Sequence, residues 1–150
     1  LTPLAVAHQF EMEGQRFGIQ ARVVNRQEEV TGSGIWITNY EKLAHFDAGQ
    51  FDGVVLDESS ILKNFMGKTR MALTQAFAAT KYRLCCTATP APNDYMEFGQ
   101  HAEFLGVMPS NEMLSRWFIN DTMSFGNYRL KGHAESDFWD WMGTWAACIA

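Results

Sequence analysis

An α/β fold built on a doubly wound parallel sheet is the class this sequence predicts, and three observations predict it. Strand-like and helix-like patterns alternate over the first ninety residues, the order that a parallel sheet with crossover helices requires. The run Gly53-Val54-Val55-Leu56 is apolar without alternation, as expected for a strand covered on both faces. From Asp94 onward only helix-spaced apolar stripes follow, so the sheet should be partial and give way to an all-helical C-terminal portion. With 47% hydrophobic and 19% charged residues, a disordered tail and a fibrous repeat are both excluded. A chain of 150 residues can bury roughly 70% of its unfolded surface, so neither a disulfide nor a structural metal is needed to make a core.

Each element has its own signal. Thr2-Pro3 ahead of Leu4, Val6, Ala7 and Phe10 has the form of an N-cap, a proline at the first helical position and an apolar helix stripe. Ala21 to Val24 and Ile35 to Thr38 read as short strands, parted by a polar stretch around Gly32-Ser33-Gly34. Asn39 is placed to cap a short helical segment, Tyr40 to Phe46. Gly67 to Ala79 reads as a helix through Leu73, Ala76 and Phe77, Tyr82 to Thr87 as a buried strand, and Pro90 to Asn93 as a turn. Helices are expected at Asp94 to Phe104, Ser110 to Phe118 and Asp137 to Ile149, with a Gly-rich connection around Phe125 to Gly132. The last helix carries Phe138, Trp141, Met142, Trp145 and Ile149 at helical spacing. Four of the five tryptophans lie from Trp117 onward, and that spacing assigns them to packing between helices rather than to stacking on bases.

Charge and cysteine usage narrow the setting. The net charge is −5 and no basic run is present, so charge alone argues mildly against a nucleic-acid partner. Cys85, Cys86 and Cys148 form no CxxC pair, which points to a reduced, cytoplasmic compartment. No run approaches the ~18 apolar residues of a membrane span. The start of the chain lacks the basic and apolar regions of a signal peptide, so no membrane role is expected. The sequence opens at Leu1 in a helix-start pattern and stops inside an amphipathic one, and therefore reads as a piece of a longer protein.

Two segments carry chemistry. In VVLDESS an apolar strand ends in Asp57-Glu58, which puts two carboxylates at the carboxyl edge of a parallel sheet, where open α/β folds bind ligands. Phosphoryl transfer to water needs one carboxylate to hold magnesium and a second to orient or deprotonate the attacking water. Adjacent carboxylates can divide those tasks. Further along, RLCCTATPAPND delivers Thr87, Ala88 and Thr89 to the same edge, where hydroxyls can hydrogen-bond both carboxylates and phosphate oxygens.

The segments WITNYEKL, DGVVLDESSILKN and RLCCTATPAPNDYMEFGQHAEFLG, in this order, resemble the first RecA-like lobe of superfamily 2 helicases, most of all the Swi/Snf-related and phage-type branch. LTPLAVAHQF resembles that family's motif Ia. The resemblance covers most of the first hundred residues. It implies a partial RecA-like ATP-binding lobe over residues 1–104 and a helical extension of the same lobe over 105–150. It also implies ATP with Mg2+ as cofactor, and DNA, duplex by family likeness, and a second RecA-like lobe as partners. Residue by residue, Asp57 would hold magnesium and Glu58 would activate the hydrolytic water. Thr87, Ala88 and Thr89 would couple the nucleotide to the nucleic-acid site, with Ser60 standing where relatives place a histidine. Asn93 and Glu97 match positions that follow the third box. Thr2, Pro3 and Asn39 would lie along DNA phosphates, where helix N-termini and short polar side chains bind backbone without reading sequence.

One expected part is missing. The phosphate loop G-x-x-x-x-G-K-[ST] belongs upstream of motif Ia. Gly67-Lys68-Thr69 instead follows the acidic box and has Leu62 where the first glycine would stand, so it reads as a helix start with a surface lysine. The sequence thus predicts part of an ATP-dependent DNA helicase or translocase, inactive by itself. The alternative is a non-catalytic helicase-like module that docks on DNA or on a protein. A magnesium nuclease using Asp57 and Glu58 would lack further carboxylates. The histidines and cysteines show no metal-ligand spacing, and Arg129 and Lys131 read as a solvated loop.

Overall fold

Among the described residues, six short strands pair off in three two-stranded sheets. The computed structural model describes residues 1–63, 67–91, 94–120 and 128–149. In chain order the elements are α1 (Ala7–Arg16), β1 (Ala21–Val23), β2 (Ile35–Ile37), β3 (Gly53–Asp57), α2 (Lys68–Ala76), β4 (Tyr82–Cys86), α3 (Phe98–Leu105), α4 (Ser110–Trp117), β5 (Phe118–Asn120), β6 (Tyr128–Leu130) and α5 (Glu135–Gly143), joined by several 3₁₀ turns. β1 and β2 are parallel, β3 and β4 are parallel with Asp57 opposite Cys86, and β5 and β6 are antiparallel.

The mixed α/β character with parallel strands expected from the sequence is present, and among the described residues the parallel strands form two pairs. Leu1 and Thr2 stand between them: the Leu1 amino group donates to Val55 O at 2.7 Å, Asp57 N donates to Leu1 O at 2.8 Å and Thr2 N donates to Thr38 O at 3.0 Å. β3 is not covered on both faces as its apolar run suggested. Val54 and Leu56 are buried, whereas Val55 is 49% exposed. β4, expected to be buried, also leaves Tyr82 and Leu84 exposed.

The all-helical C-terminal portion is corrected as well. α4 stops at Trp117 and the chain turns directly into β5, which pairs with β6 in the register Phe118 opposite Leu130. Aromatic and branched side chains at 118, 119, 128 and 130 suit a pleated ribbon, so the expected connection enters a hairpin at Tyr128–Leu130, its positions 125–127 lying outside the described residues. Lys131 fastens it: its Nζ donates to Ser115 O at 3.0 Å and Arg116 O at 2.8 Å, the last carbonyls of α4, where a cation also meets the negative end of the helix. The reading of Lys131 as a solvated loop residue therefore gives way to a capping role. α5 ends at Gly143, so Ile149 is exposed and the apolar stripe packs only as far as Trp145.

Neither anticipated N-cap forms. Pro3 precedes the 3₁₀ turn Leu4–Val6 without a side-chain cap, and Asn39 makes none at Tyr40–His45. Asp94 does cap its turn, accepting from Met96 N at 3.0 Å. α3 closes on Gly106 at φ 74°, the left-handed conformation that glycine adopts without strain. Arg83 Nη1 donates to Phe104 O at 2.8 Å there, tying β4 to the end of α3.

Two apolar cores result among the described residues. One gathers Tyr40, Val54, Leu56, Leu62, Leu73, Phe77 and Phe104 under the β3–β4 pair. The other is aromatic: Trp117, Phe118 and Phe138 with Met113 and Met142. Trp117 stacks on Trp141 at 4.7 Å, so the tryptophan-rich tail is packed core, as its spacing implies. No helix among the described residues is long and apolar enough to cross a membrane.

Candidate active site

The parallel register of β3 and β4 decides what meets at their carboxyl ends. With Asp57 opposite Cys86, the next residues on the two strands are Glu58 and Thr87, and Thr87 Oγ1 donates to Glu58 Oε1 at 3.0 Å. Ser60 Oγ donates to the same oxygen at 2.6 Å. Glu58 itself has φ 54°, the left-handed region, which costs a non-glycine residue about 1–2 kcal/mol. The strain is held because the chain must turn sharply from β3 into the 3₁₀ turn Ser59–Lys63 while keeping the carboxylate under both hydroxyls. Glu58 is exposed, so its carboxylate is aimed by neighbours yet open to a reactant.

Asp57 is fixed from three directions. Its Oδ2 accepts from Thr2 Oγ1 at 3.1 Å, its N–H donates to Leu1 O, and its carbonyl accepts from Tyr40 Oη at 2.6 Å. Burial first, then the charge of Asp57, pushes the Tyr40 phenol well above its ordinary value, so it stays a donor. Thr89 N donates to Thr87 Oγ1 at 3.1 Å, which links Thr89 through Thr87 to Glu58. Ala88 is exposed between them.

The structure thus brings Asp57, Glu58, Ser60, Thr87 and Thr89 to one edge, and Thr2 joins them from the other side. Thr2 and Asn39, paired as an isolated parallel bridge, are 2% and 4% exposed and turn inward. Pro3 is half-buried beside them. Asn93 lies outside the described residues. Lys68 is an exposed residue at the start of α2, and Leu62 is fully buried in the core, so Gly67-Lys68-Thr69 forms no phosphate loop.

Sequence reasoning missed a second layer. Ser59 Oγ and His101 Nε2 are 3.1 Å apart, both buried, and join α3 to the residue that follows Glu58. Ser59 also hydrogen-bonds the Cys85 thiol, whose pKa burial pushes up to about 12. Burial lowers the His101 pKa, opposed by smaller contributions from Glu97 and Ser59, so the imidazole is neutral in the fold. The unfolded chain binds that proton more readily, so stability is full above the ordinary histidine value near 6.5 and falls as pH drops below it. We expect the urea midpoint to decline between pH 7 and 5, and His101→Gln to flatten that decline. An unchanged slope in the variant would remove His101 as its source.

The donor set fits a hard cation held partly by phosphate. Two carboxylates and several hydroxyls are all-oxygen ligands, and among the described residues no cluster of three or more His, Cys, Asp or Glu could cage a metal alone. Mg2+ is characteristically bound in that way, by one or two carboxylates together with substrate phosphates and water.

No curated protein matches the chain. Residues 3–132 match the family model of the SNF2-related domain, which spans both parallel strand pairs and the hairpin. With that match over most of its length, the chain is a Swi/Snf-like domain of the superfamily 2 helicase type and belongs to the SNF2-related domain family.

Proposed function

We propose that this chain is the carboxylate-bearing part of the first RecA-like lobe of an ATP-dependent DNA helicase or translocase of the phage-type branch, working in the cytoplasm. The observation that carries the reading is Glu58, held in a left-handed backbone under Ser60 and Thr87 beside a fixed Asp57. Asp57 would hold Mg2+ with ATP, and the ion when bound would neutralise charge on the phosphate oxygens. Glu58 orients the attacking water and accepts its proton. Ser60 and Thr87 fix the angle of that carboxylate, and the Thr87–Thr89 link runs from it along the strand end toward a nucleic-acid face.

In the whole protein ATP sits between this lobe and a second one, and closure of the two moves the protein on duplex DNA. The lobe proper is residues 1–104, with 105–150 as its extension. Contact with DNA phosphates falls to the segment around Pro3, ahead of the 3₁₀ turn Leu4–Val6, since Thr2 and Asn39 offer little surface. The test compares ATP turnover by the 150-residue chain with that of a polypeptide extended to a glycine-rich phosphate loop and a second lobe. The short chain should be silent and the long one stimulated by duplex DNA. Turnover by the short chain, or turnover that DNA leaves unchanged in the long one, would overturn the reading.

A further inference from the structure

The turn that carries Glu58 is held on two sides of different character. On its open side Ser60 Oγ and Thr87 Oγ1 reach the carboxylate, and both bonds lie in solvent, where a hydrogen bond adds little. On its inner side the next residue, Ser59, is fully buried, and its Oγ stands 3.1 Å from Nε2 of His101, itself 3% exposed. The setting is apolar: Leu56 and Leu62, on either side of Ser59 in the chain, and Phe104, on the helix of His101, are fully buried core residues. A hydroxyl and an imidazole sunk at such a place cost free energy unless each satisfies the other. An aliphatic pair would fill the same space without that cost, so what the polar pair adds is direction.

Both sides of this clamp share one reference, β4. Thr87 follows β4 directly, and α3, which carries His101, packs against β4 and against the Ser59–Lys63 turn. Arg83 Nη1 on β4 donates to Phe104 O at 2.8 Å, which sets where α3 lies along the strand. Ser59 also hydrogen-bonds the Cys85 thiol, so its hydroxyl is tied to strand and helix together. A glutamate has no preference of its own for the left-handed region. With Ser59 fixed behind it, the peptide that joins 58 to 59 is restrained, and Glu58 keeps φ 54°. The imidazole is neutral, so one ring nitrogen donates and the other accepts, and either tautomer suits a hydroxyl that does both.

We infer that His101 is a positioning residue for the reaction: through Ser59 it holds the left-handed turn at Glu58 and so aims the carboxylate, without touching the reactants itself. This role rests on the reading of Glu58 as the base that takes a proton from the attacking water. Losing the buried hydrogen bond lets the carboxylate leave its line of attack, which lowers kcat and spares KM, because ATP is held by other groups.

Two measurements test it. The first needs no ATP: in the 150-residue chain the Glu58 Cα and Cβ chemical shifts report its backbone conformation. His101→Leu and Ser59→Ala should both move them toward extended values, while His101→Gln leaves them in place. The second is DNA-stimulated ATP turnover by the extended protein. There His101→Leu and Ser59→Ala should each lower kcat by about 10–100-fold with KM held, as expected of a carboxylate displaced by up to about 1 Å. The double variant should fall no further than either single one, because both remove the same contact. His101→Gln, whose amide can still bond to Ser59, should stay within about threefold of the starting turnover. Ser59→Ala removes a single oxygen, so it reads the contact even if His101→Leu unfolds the chain. Glu58 resonances that stay put in Ser59→Ala would overturn the inference, as would an equal loss of turnover in His101→Gln and His101→Leu. An extended protein that turns over no ATP while the Glu58 resonances move as expected would instead sink the ATPase reading and leave the hold of His101 on the turn standing.

Discussion

Truncating Trp117 to alanine should destabilise the domain by about 3–5 kcal/mol, a large share of the roughly 5–15 kcal/mol that holds a domain together. The indole is 1% exposed, stacks on Trp141 at 4.7 Å and meets Phe138 edge-on at 5.8 Å. The Arg116 guanidinium lies over the ring at 4.5 Å, and the indole N–H donates to Asp137 Oδ2 at 2.7 Å. Asp137 is well exposed, so losing this donor costs it little, and most of the effect comes from the hole left among the rings. Urea unfolding of Trp117→Ala measures the loss. Trp117→Phe, which keeps a ring and drops only the N–H and part of the volume, should cost about half as much or less. If alanine costs under about 1 kcal/mol, a value typical of a surface site, the aromatic cluster is not a core.

The second large effect is on chemistry. In the extended protein, Glu58→Gln should lower DNA-stimulated ATP turnover by about 10²–10⁴-fold, the usual contribution of a positioned general base. The amide oxygen can still accept from Ser60 and Thr87, so the turn at residue 58 is kept while the base is removed. Nucleotide and DNA binding should hold near their starting values, placing the loss in kcat rather than KM. Thr87→Val removes one of the two hydroxyls that aim the carboxylate and should cost less, on the order of tenfold. A Glu58→Gln protein that keeps more than about a tenth of its turnover would mean that another group takes the proton.

How much of this was legible in the chain depends on distance along it. Asp57, Glu58 and Thr87 could be read because each lies at the end of a strand whose apolar run is local, and two strand ends of a parallel pair share an edge. The Ser59–His101 contact spans 42 positions and depends on how α3 is rotated against the turn, which no local pattern records. The hairpin was missed because strands of three residues carry barely one period of alternation, while the helical stripe from Ser110 runs straight up to them. The exposure of β3 was missed for a third reason: whether both of its faces are covered is a property of its neighbours. Thr2 was misread because a hydroxyl before a proline is a cap by pattern, whereas a carboxylate 55 positions away is the partner it has in the fold.

The register that sets Glu58 opposite Thr87 also dictates where this domain can gain or lose residues over time. The connection from Ser59 to Lys81 can lengthen at its surface-exposed points with modest entropic penalty, because both anchoring strands stay in place. A single residue added or removed within Gly53–Asp57 or Tyr82–Cys86 slides one carboxyl end past the other and separates the glutamate from the threonine hydroxyl. Related chains that keep this pair should therefore differ freely in the length of what lies between the two strands and hardly at all in the strands themselves.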